Sequence, residues 1–410
     1  MKVDFMRWVD YWVGVPICFL LSIVVSIERL FGLRKVKKDF RPKKILFIEL
    51  SEMGSAILAY SAMKKAKELF DAKIYFMIFR ENVESVRLLG IVPEDNIITI
   101  RSKSLFLFFV DTIIAVFKMR FKRIDAVIDL ELFSRFTSVL SFLSGAKAVV
   151  GFYKYYMEGL YRGNIQTHKV EYNPHYHISQ SFMSLVYALN ADANEKPLLK
   201  KEIKKEEMKT AKIHIDAAAK KSLIGKLQQV NPDINEKSKI VLLNPNASQL
   251  LPIRKWPLQN FMRLAEKVLK QKDVFIVVTG TKAEGEDAQA ICNFVKNDRC
   301  IDFTGKTSFK ELIDLYNISN VLVTNDSGPA HFASLTDINI IVLFGPETPK
   351  IYAPLSDSCE CVYSNYACSP CVSAFNHRKT PCDNSRCLKA IKVEDVFEAV
   401  KGKFSCLDKL

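Results

Sequence analysis

The segment VLVTNDSGPAHFA, residues 321–333, joins an apolar run to a tight cluster of polar groups. The apolar run predicts a buried strand, and a helix is expected to begin beside Gly328 directly after it. Asp326 or Ser327 is placed to cap that helix, Gly328 lets a ligand approach the backbone, and His331 lies on the first turn. Free N–H groups and the helix dipole there favour a phosphate group. An ordinary capped helix with a packed histidine is the alternative.

Two other loops that follow predicted strands carry residues suited to a nucleotide diphosphate. The sequence NPNASQLLPIRKW places Arg254 and Lys255 at the start of a helix, which predicts a diphosphate clamp, with a solvated basic pair as the alternative. In VVTGTKAEGE, residues 277–286, Glu284 is placed to accept hydrogen bonds from ribose hydroxyls, and Glu286 is the second choice. The further polar residues predicted to line this site are Asn244, Asn246 and Ser248.

The phrases NPNAS, RKWPLQNF, GTKAE, DFTGKTSFKELIDLY, NDSGPAHFA and LFGPETP together resemble the heptosyltransferase family, glycosyltransferase family 9, in order and spacing. This resemblance implies a GT-B fold and inverting transfer of a sugar, typically from ADP-heptose, to a lipopolysaccharide core acceptor, with no metal or cofactor. It implies that Arg254 binds the diphosphate and that Glu284 binds the ribose. The implied phosphate and sugar contacts are Asp326, Ser327, Gly328 and His331.

The loop after the first predicted strand, LSEMGS at 50–55, departs from the family pattern in which an aspartate directly follows the glycine. Ser55 occupies that position here. Because inverting transfer needs a carboxylate that removes the acceptor proton, and serine is a poor base, we predict that Glu52 replaces the aspartate. Glu49 is a weaker candidate, and a purely helix-capping role for Glu52 is the alternative.

The segment 151–177 is polar and aromatic, and we interpret it as a loop that faces the acceptor. The residues predicted to meet acidic sugars or phosphates are Lys154, Arg162 and His168. A metal site built from His168, His175 and His177 lacks the further fixed ligands of catalytic zinc, so no metal is predicted. A plain structural loop is the other alternative.

Apolar runs alternate with helical patterns along most of the chain, which predicts parallel sheets covered on both faces. The predicted strands are 44–50, 73–79, 96–100, 124–129, 147–151, 239–243, 273–279, 320–324 and 339–343. The predicted helices are 82–89, 105–119, 132–144, 257–270, 284–297, 309–317 and 328–336. The fold class is therefore α/β, with two doubly wound Rossmann-like domains facing a cleft.

These elements divide the chain into four parts. Residues 1–42 form a membrane-associated helix and basic linker, and 43–195 form an acceptor-binding domain. A helical connector rich in Lys and Glu follows at 196–236. Residues 237–410 form the nucleotide-sugar-binding domain, which contains a cysteine-rich loop at 359–387.

The net charge of +14 lies mainly in two segments, 1–44 with +6 and 101–123 with +5, and both enclose apolar runs. This combination predicts a membrane surface as a partner and excludes nucleic acid. The uncharged run 11–27 would be about 25 Å long as a helix, so it fits either a short span or an interfacial helix. The basic residues after it predict a cytoplasmic location for the rest of the chain. The outer apolar residues of the helix at 105–119 are also candidates for lipid contact.

Four of the ten cysteines, Cys18, Cys292, Cys300 and Cys406, are scattered, nothing resembles a small disulfide-stapled domain, and a reducing cytoplasm is the expected compartment. Four others, Cys368, Cys371, Cys382 and Cys387, have spacing that suits structural zinc, although reduced thiols or a disulfide fit equally.

The sequence thus predicts an inverting glycosyltransferase at the cytoplasmic face of the inner membrane. Its expected partners are a nucleotide-diphosphate sugar and a lipopolysaccharide-type or other lipid-linked glycan acceptor. Glu52 would deprotonate the acceptor, while Arg254, Lys255 and the helix terminus at 327–328 stabilise the departing diphosphate. A non-catalytic module that binds a sugar nucleotide or glycolipid is the alternative, and Ser55 is the feature that favours it.

Overall fold

The computed structural model describes residues 3–32, 36, 39–132, 134–153, 161–247, 251–373, 376 and 378–407. The chain forms two compact units, Met1–Lys209 and Thr210–Leu410, which we name the first and second units. The division between them falls inside the predicted connector, 196–236. The finer domain bounds stay predictions.

Six parallel strands form the sheet of the first unit. They are β1 (Lys44–Ile48), β2 (Lys73–Phe79), β3 (Ile97–Ile100), β4 (Ala126–Asp129), β5 (Ala148–Tyr153) and β6 (His168–Glu171). Their order in the sheet is β3-β2-β1-β4-β5-β6. The helices are α1 (Val3–Trp12), α2 (Gly14–Leu30), α3 (Met53–Leu58), α4 (Tyr60–Phe70), α5 (Glu84–Leu89), α6 (Leu105–Lys122), α7 (Arg135–Leu143) and α8 (Ile178–Ala188).

The second unit repeats this plan. Its strands are β7 (Lys239–Asn244), β8 (Val274–Val278), β9 (Cys300–Asp302), β10 (Val321–Asn325), β11 (Asn339–Phe344) and β12 (Cys359–Tyr363). They lie in the order β12-β11-β10-β7-β8-β9. When the strands of each unit are counted from its own first strand, this is the order of the first sheet read from the opposite edge. The helices are α9 (Ala217–Gln228), α10 (Leu258–Val268), α11 (Gly285–Val295), α12 (Phe309–Ile318), α13 (Gly328–Ala333), α14 (Pro349–Tyr352), α15 (Arg386–Lys389) and α16 (Val393–Leu407).

The predicted fold class is confirmed, because both sheets are parallel and doubly wound, with the first strand at the centre. The nine predicted strands are all present, and the three that sequence analysis missed are β6, β9 and β12. All three lie at a sheet edge. An edge strand pairs on one side only and needs no long apolar run, so periodicity gives little signal for it.

The N-terminal helices α1 and α2 pack on the first unit through α7. Asp10 accepts hydrogen bonds from the backbone N–H groups of Arg135 and Phe136, at 3.0 and 2.9 Å, where α7 begins. Its carboxylate also pairs with the Arg135 guanidinium at 3.1 Å, and that side chain is only 1% exposed. Asp10 therefore caps α7 and neutralises a buried cation.

One helical segment among the described residues, Asp4–Leu30, is long and apolar enough to cross a membrane. By length and composition this segment fits either a span or an interfacial helix.

Replacement of Asp10 by alanine is expected to destabilise the first unit by about 2–4 kcal/mol, since it leaves the buried Arg135 guanidinium without its carboxylate. Urea unfolding of the full chain measures this loss. Asp4→Ala is the matched control, because the Asp4–Arg7 pair is 3.6 Å long and largely exposed, so a change within about 0.5 kcal/mol is expected. Equal effects of the two substitutions would contradict the capping role.

Candidate functional site

The predicted donor site lies where the central strands of the second unit end. Since all strands are parallel, the loops after β7, β8, β10 and β11 emerge at one edge of the sheet. In the sheet, β8 lies on one side of β7, whereas β10 and β11 lie on the other side. This reversal opens a crevice beyond the strand ends, which is where ligands of such sheets bind.

The side chain of Asn325, at the end of β10, joins the loops around this crevice. Its Nδ2 donates to the carbonyl oxygens of Pro245 and Asn246, at 2.9 and 3.1 Å, and its Oδ1 accepts from the Trp256 N–H at 2.9 Å. The side chain is completely buried. Sequence analysis placed Asn325 at the strand end but assigned it no role, because its partners lie about 70 to 80 residues away.

Arg254 and Asp326 meet at the same edge. Arg254 Nη1 lies 3.2 Å from Asp326 Oδ2, and both side chains are largely buried. The carboxyl group of Glu347, after β11, is also buried and lies 3.7 Å from Arg378. Burial, together with the negative charge of Asp326, raises the pKa of Glu347 well above its ordinary value, while Arg254 opposes the rise. Glu347 was not predicted, although its loop, GPETP, follows a strand like the others.

Several buried polar atoms at this edge have no hydrogen-bond partner within the described residues. They are Asn244 Oδ1, Asn246 Nδ2, Asn246 Oδ1 and Arg254 Nε. Asn246 is only 4% exposed, so leaving both of its amide atoms unsatisfied costs free energy. Such atoms, grouped at a switch point, are suited to a polar ligand.

Glu284 and Asn246 both lie close to Gly280. A Cβ added at Gly280 would come within 2.8 Å of Asn246 Nδ2 and 3.1 Å of Glu284 Oε2, so a larger residue there would displace these side chains. Glu284 Oε2 accepts from the Thr281 N–H and hydroxyl groups, at 2.7 and 2.9 Å. One carboxylate oxygen of Glu284 thus stabilises the loop.

The other predicted donor-site residues differ in their placement. The Ser327 hydroxyl does not cap α13, contrary to expectation; it donates to the Asn325 carbonyl at 3.2 Å. Gly328 and His331 lie on the first turn of α13, and His331 is buried. The Lys255 ammonium lies 3.3 Å from Asp287 of α11 and so is paired away from Arg254. Ser248 lies outside the described residues.

In the first unit, Glu52 and Ser55 are brought together in the loop after β1. The Ser55 hydroxyl donates to Glu52 Oε2 at 2.9 Å, and the Glu52 N–H donates to Glu49 Oε1 at 3.3 Å. The Glu52 side chain makes no capping hydrogen bond to α3, which removes the capping alternative. Glu131, which sequence analysis missed, accepts from the Leu50 N–H and the Ser51 hydroxyl, and burial raises its pKa.

The predicted acceptor residues Arg162 and His168 face the protein interior. Arg162 is buried and pairs with the buried Asp129, and it also donates to the Ser134 and Glu131 carbonyl groups. His168 is a buried residue of β6, and its Nδ1 is 2.9 Å from the Thr167 hydroxyl. This placement does not support contact with an acceptor, because neither group reaches the surface. Lys154 lies outside the described residues.

The structure gives no support to the metal alternatives. Within the described ranges, no group of three or more His, Cys, Asp or Glu side chains is arranged to hold a metal ion. His177 Nδ1 accepts from the Ser179 N–H at 3.3 Å and caps α8, which is a structural role. The nearby His377 lies outside the described residues.

Two doubly wound sheets, the second carrying buried amide and guanidinium groups at its switch point, define a two-domain protein of the α/β class. The family model described as glycosyltransferase family 9 (heptosyltransferase) matches residues 116–380. The chain belongs to this family, as the sequence resemblance predicted.

Comparison with individual proteins agrees with this assignment. Lipooligosaccharide heptosyltransferase 2 of Campylobacter jejuni is 29% identical over 181 residues, which cover 43% of this chain and 55% of that protein. The chain thus spans about half the length of this curated relative.

Solved structures support the fold. ADP-heptose lipopolysaccharide heptosyltransferase II of Escherichia coli superposes with a TM-score of 0.68 at 16% identity, over 89% of this chain and 99% of that one. E. coli heptosyltransferase WaaC with ADP-2-deoxy-2-fluoro heptose gives a TM-score of 0.60 at 13% identity, over 88% and 99% of the two chains. The predicted GT-B fold is confirmed.

Asn325→Ala is expected to lower the free energy of unfolding by about 2–4 kcal/mol, because it leaves two carbonyl groups and one N–H group without their partner. The same variant should bind ADP more weakly, since the loop that carries Asn246 loses its anchor. Asn317→Ala is the control, as the Asn317 side chain makes a single bond, to the Ile313 carbonyl. Unfolding and calorimetric titration measure the two effects, and a stable Asn325→Ala variant would refute the anchoring role.

Because the His168 side chain is buried, the free energy of unfolding is expected to depend on pH. Burial lowers the pKa of His168 to about 4 from an ordinary 6.5, so the unfolded chain takes up a proton at higher pH than the folded chain does. Its contribution to stability is present above pH 6.5 and is lost as the pH falls from 6.5 to 4, by about 3 kcal/mol in all. His168→Gln should flatten unfolding free energies measured between pH 7 and 4. The exposed His175→Gln variant should retain the wild-type slope, and an unchanged slope in His168→Gln would contradict the assignment.

Proposed function

We propose that this protein is an inverting heptosyltransferase that moves heptose from ADP-heptose to a lipid-linked acceptor in lipopolysaccharide core assembly. Family membership supports the reaction class. The observation that carries the donor assignment is the group of unpartnered buried polar atoms of Asn246 and Arg254 at the switch point. Two structural relatives, one an ADP-heptose lipopolysaccharide heptosyltransferase and one solved with a fluorinated ADP-heptose, support ADP-heptose as the donor.

Arg254 is the cation that we assign to the diphosphate. Its Nη1 is fixed by Asp326 at 3.2 Å, whereas its Nε has no partner among the described residues. The ion pair thus orients the guanidinium and leaves a donor for a phosphate oxygen. Lys255 is a second, weaker candidate, because its pair with Asp287 is partly exposed and opens at little cost.

Glu284 is the group that we assign to the ribose. Its Oε2 belongs to the capping box with Thr281, and we assign Oε1 to the ribose hydroxyls. The close approach at Gly280 supports this role, since a side chain there would press on both Asn246 and Glu284. Ser327, Gly328 and His331 keep their expected roles as phosphate and sugar contacts on the first turn of α13.

Glu52 is the base in this proposal. The Ser55 hydroxyl donates to its carboxylate, so the serine that replaces the family aspartate orients the base instead of acting as one. Glu52 removes the proton of the acceptor hydroxyl while that oxygen attacks the anomeric carbon. The bond from this carbon to the diphosphate oxygen breaks, and the negative charge that develops there is stabilised by Arg254.

The acceptor is expected to be lipid-linked, at the cytoplasmic face of the inner membrane. Two observations support this location: the apolar helix Asp4–Leu30 and the basic residues that follow it. The presence of Ser55 in place of the aspartate favours one competing function, a binding module of the same fold that performs no transfer.

Three variants of the full chain test the proposal by turnover of ADP-heptose on extracted lipid acceptor and by calorimetric titration with ADP. Glu52→Gln should reduce turnover at least about 100-fold with unchanged ADP affinity, because only the proton acceptor is lost. Arg254→Gln should weaken ADP binding about tenfold or more. Glu131→Gln is the control, since a glutamine oxygen can still accept from the Leu50 N–H, and its turnover should stay near wild type.

Each possible result points to a definite conclusion. ADP binding without turnover in the wild type would favour the binding module. Loss of turnover in Glu131→Gln but not in Glu52→Gln would move the base to Glu131. An absence of ADP binding in the wild type would refute the proposed function.

A further inference from the structure

We propose that α2 and α6, which both pack against α7, form one lipid-docking surface on the first unit, and that α2 lies in the plane of an anionic bilayer and does not cross it. The benefit of this docking, access to a lipid-linked acceptor, rests on the proposed function. The docking itself is independent of sugar transfer and is measured separately below.

Helix α2 is fixed to the rest of the first unit along its whole length. Near its start, Gly14 packs against the Arg135 side chain so closely that an added Cβ would lie 2.7 Å from Arg135 Cβ. In the middle, Ser22 Oγ accepts from the Asn164 N–H at 2.7 Å. Near its end, the Arg29 guanidinium donates to the Gln166 carbonyl at 2.9 Å. A helix with this series of contacts lies flat on the domain.

Helix α6 lies on the same face of the first sheet, beside α7. The rings of Phe108 and Phe136 are 4.9 Å apart, and the Arg120 Nε donates to the Leu143 carbonyl at 2.7 Å. Since α7 also carries the contacts of Gly14 with Arg135, it is packed against both α6 and α2. The three helices therefore form a continuous layer.

The outer side of this layer is apolar. Exposed large side chains of α2 are Phe19, Leu20, Ile23, Val24, Ile27 and Leu30. Exposed large side chains of α6 are Leu105, Phe106, Phe109, Ile113, Phe117 and Phe121. Patches of this extent are rare on the free surface of a soluble protein and mark an interaction site.

Charge identifies the occupant as anionic lipid. Segment 101–123, which contains α6, carries a net charge of +5, and seven Lys and Arg residues follow α2 in the sequence between Arg34 and Lys44. The single acidic residue of α6, Asp111, is paired with Arg101 at 2.7 Å, and Lys118 and Arg123 are exposed beside the apolar residues. Anionic headgroups attract such a surface, whereas a second copy of it would be repelled.

A transmembrane path for α2 would conflict with these contacts. If α2 crossed the bilayer, Asp10 would leave Arg135, and the bonds of Ser22 to Asn164 and of Arg29 to Gln166 would break. The buried Arg135 guanidinium would then have lost its carboxylate, which is costly. An interfacial helix retains every one of these bonds and still buries its apolar side in lipid.

Co-sedimentation of the full chain with vesicles tests the surface. Wild type should bind vesicles of phosphatidylcholine with roughly 30% phosphatidylglycerol, whose anionic headgroups attract basic segments, and should bind pure phosphatidylcholine vesicles far less. Phe117→Asp in α6 and Leu20→Asp in α2 should each reduce binding at least about fivefold, because each places a charge in the lipid interface.

The matched control is Phe294→Asp in the second unit, whose ring is 50% exposed, and it should bind like wild type. All variants should retain ADP affinity and thermal stability, so a failure of docking is distinct from a failure of the proposed reaction.

A disulfide distinguishes the two membrane arrangements. Ser22→Cys with Asn164→Cys should cross-link α2 to the first unit, since Ser22 Oγ lies 2.7 Å from the Asn164 nitrogen. The oxidised double variant should bind the vesicles as tightly as its reduced form, because docking needs no separation of α2.

Three results would overturn the proposal. One is loss of binding on oxidation, which would indicate that α2 must detach and span. A second is unchanged binding by Phe117→Asp, which would remove α6 from the surface. The third is a stable dimer in sedimentation velocity that Phe117→Asp converts to monomers, which would assign the surface to a second copy of the chain.

Discussion

The carboxamide of Asn325 is the interaction on which the donor site depends. It fastens both ends of the loop between β7 and α10, at Pro245 and Asn246 and at Trp256, to the end of β10. Without it, the carbonyl groups of Pro245 and Asn246 and the Trp256 N–H would lose their shared partner, and the loops after β7 and β10 would be joined less firmly, through contacts such as the ion pair of Arg254 with Asp326. A completely buried asparagine has strict geometric demands, so this one residue holds both ends of the loop after β7 in place at the crevice.

The charges at this crevice are balanced before any ligand arrives. Asp326 and Glu347 are buried carboxyl groups close to Arg254, and burial raises the pKa of both. A diphosphate brought to this site would be repelled by two ionised carboxylates. A proton on Glu347 would remove part of that repulsion, while Asp326 keeps the guanidinium oriented. The balance suits a leaving group that must be bound and then released.

The first unit depends in a similar way on α7. Its N-terminus is capped by Asp10, its sides contact α6 and α2, and the segment just before it holds Arg162 through the Ser134 carbonyl. The buried pair of Arg162 with Asp129 ties the segment before β6 to the end of β4. The same packing that stabilises the sheet therefore also presents the apolar sides of α2 and α6 on one face.

Local pattern in the sequence determined nine of the twelve strands, namely every interior strand and the edge strand β3. It also determined the doubly wound class and the loops that carry Arg254, Glu284, Asp326 and Glu52. The spacing of apolar residues indicates which residues are buried, and polar residues at strand ends indicate where a strand stops. Both signals lie within a few residues of the chain, so the sequence reveals them directly. Edge strands β6, β9 and β12 lacked that signal.

Only the tertiary structure decided where long side chains point and what they meet. Arg162 and His168 lie in a polar segment that resembles a surface loop, yet both are buried, because β6, which contains His168, pairs with β5, and Arg162 pairs with the buried Asp129. The partners of Asn325 and Asp10 are distant in the chain, at separations of about 70 and 125 residues. The sequence contains these residues, but no local pattern links them, since such contacts form only when packed elements bring remote segments together.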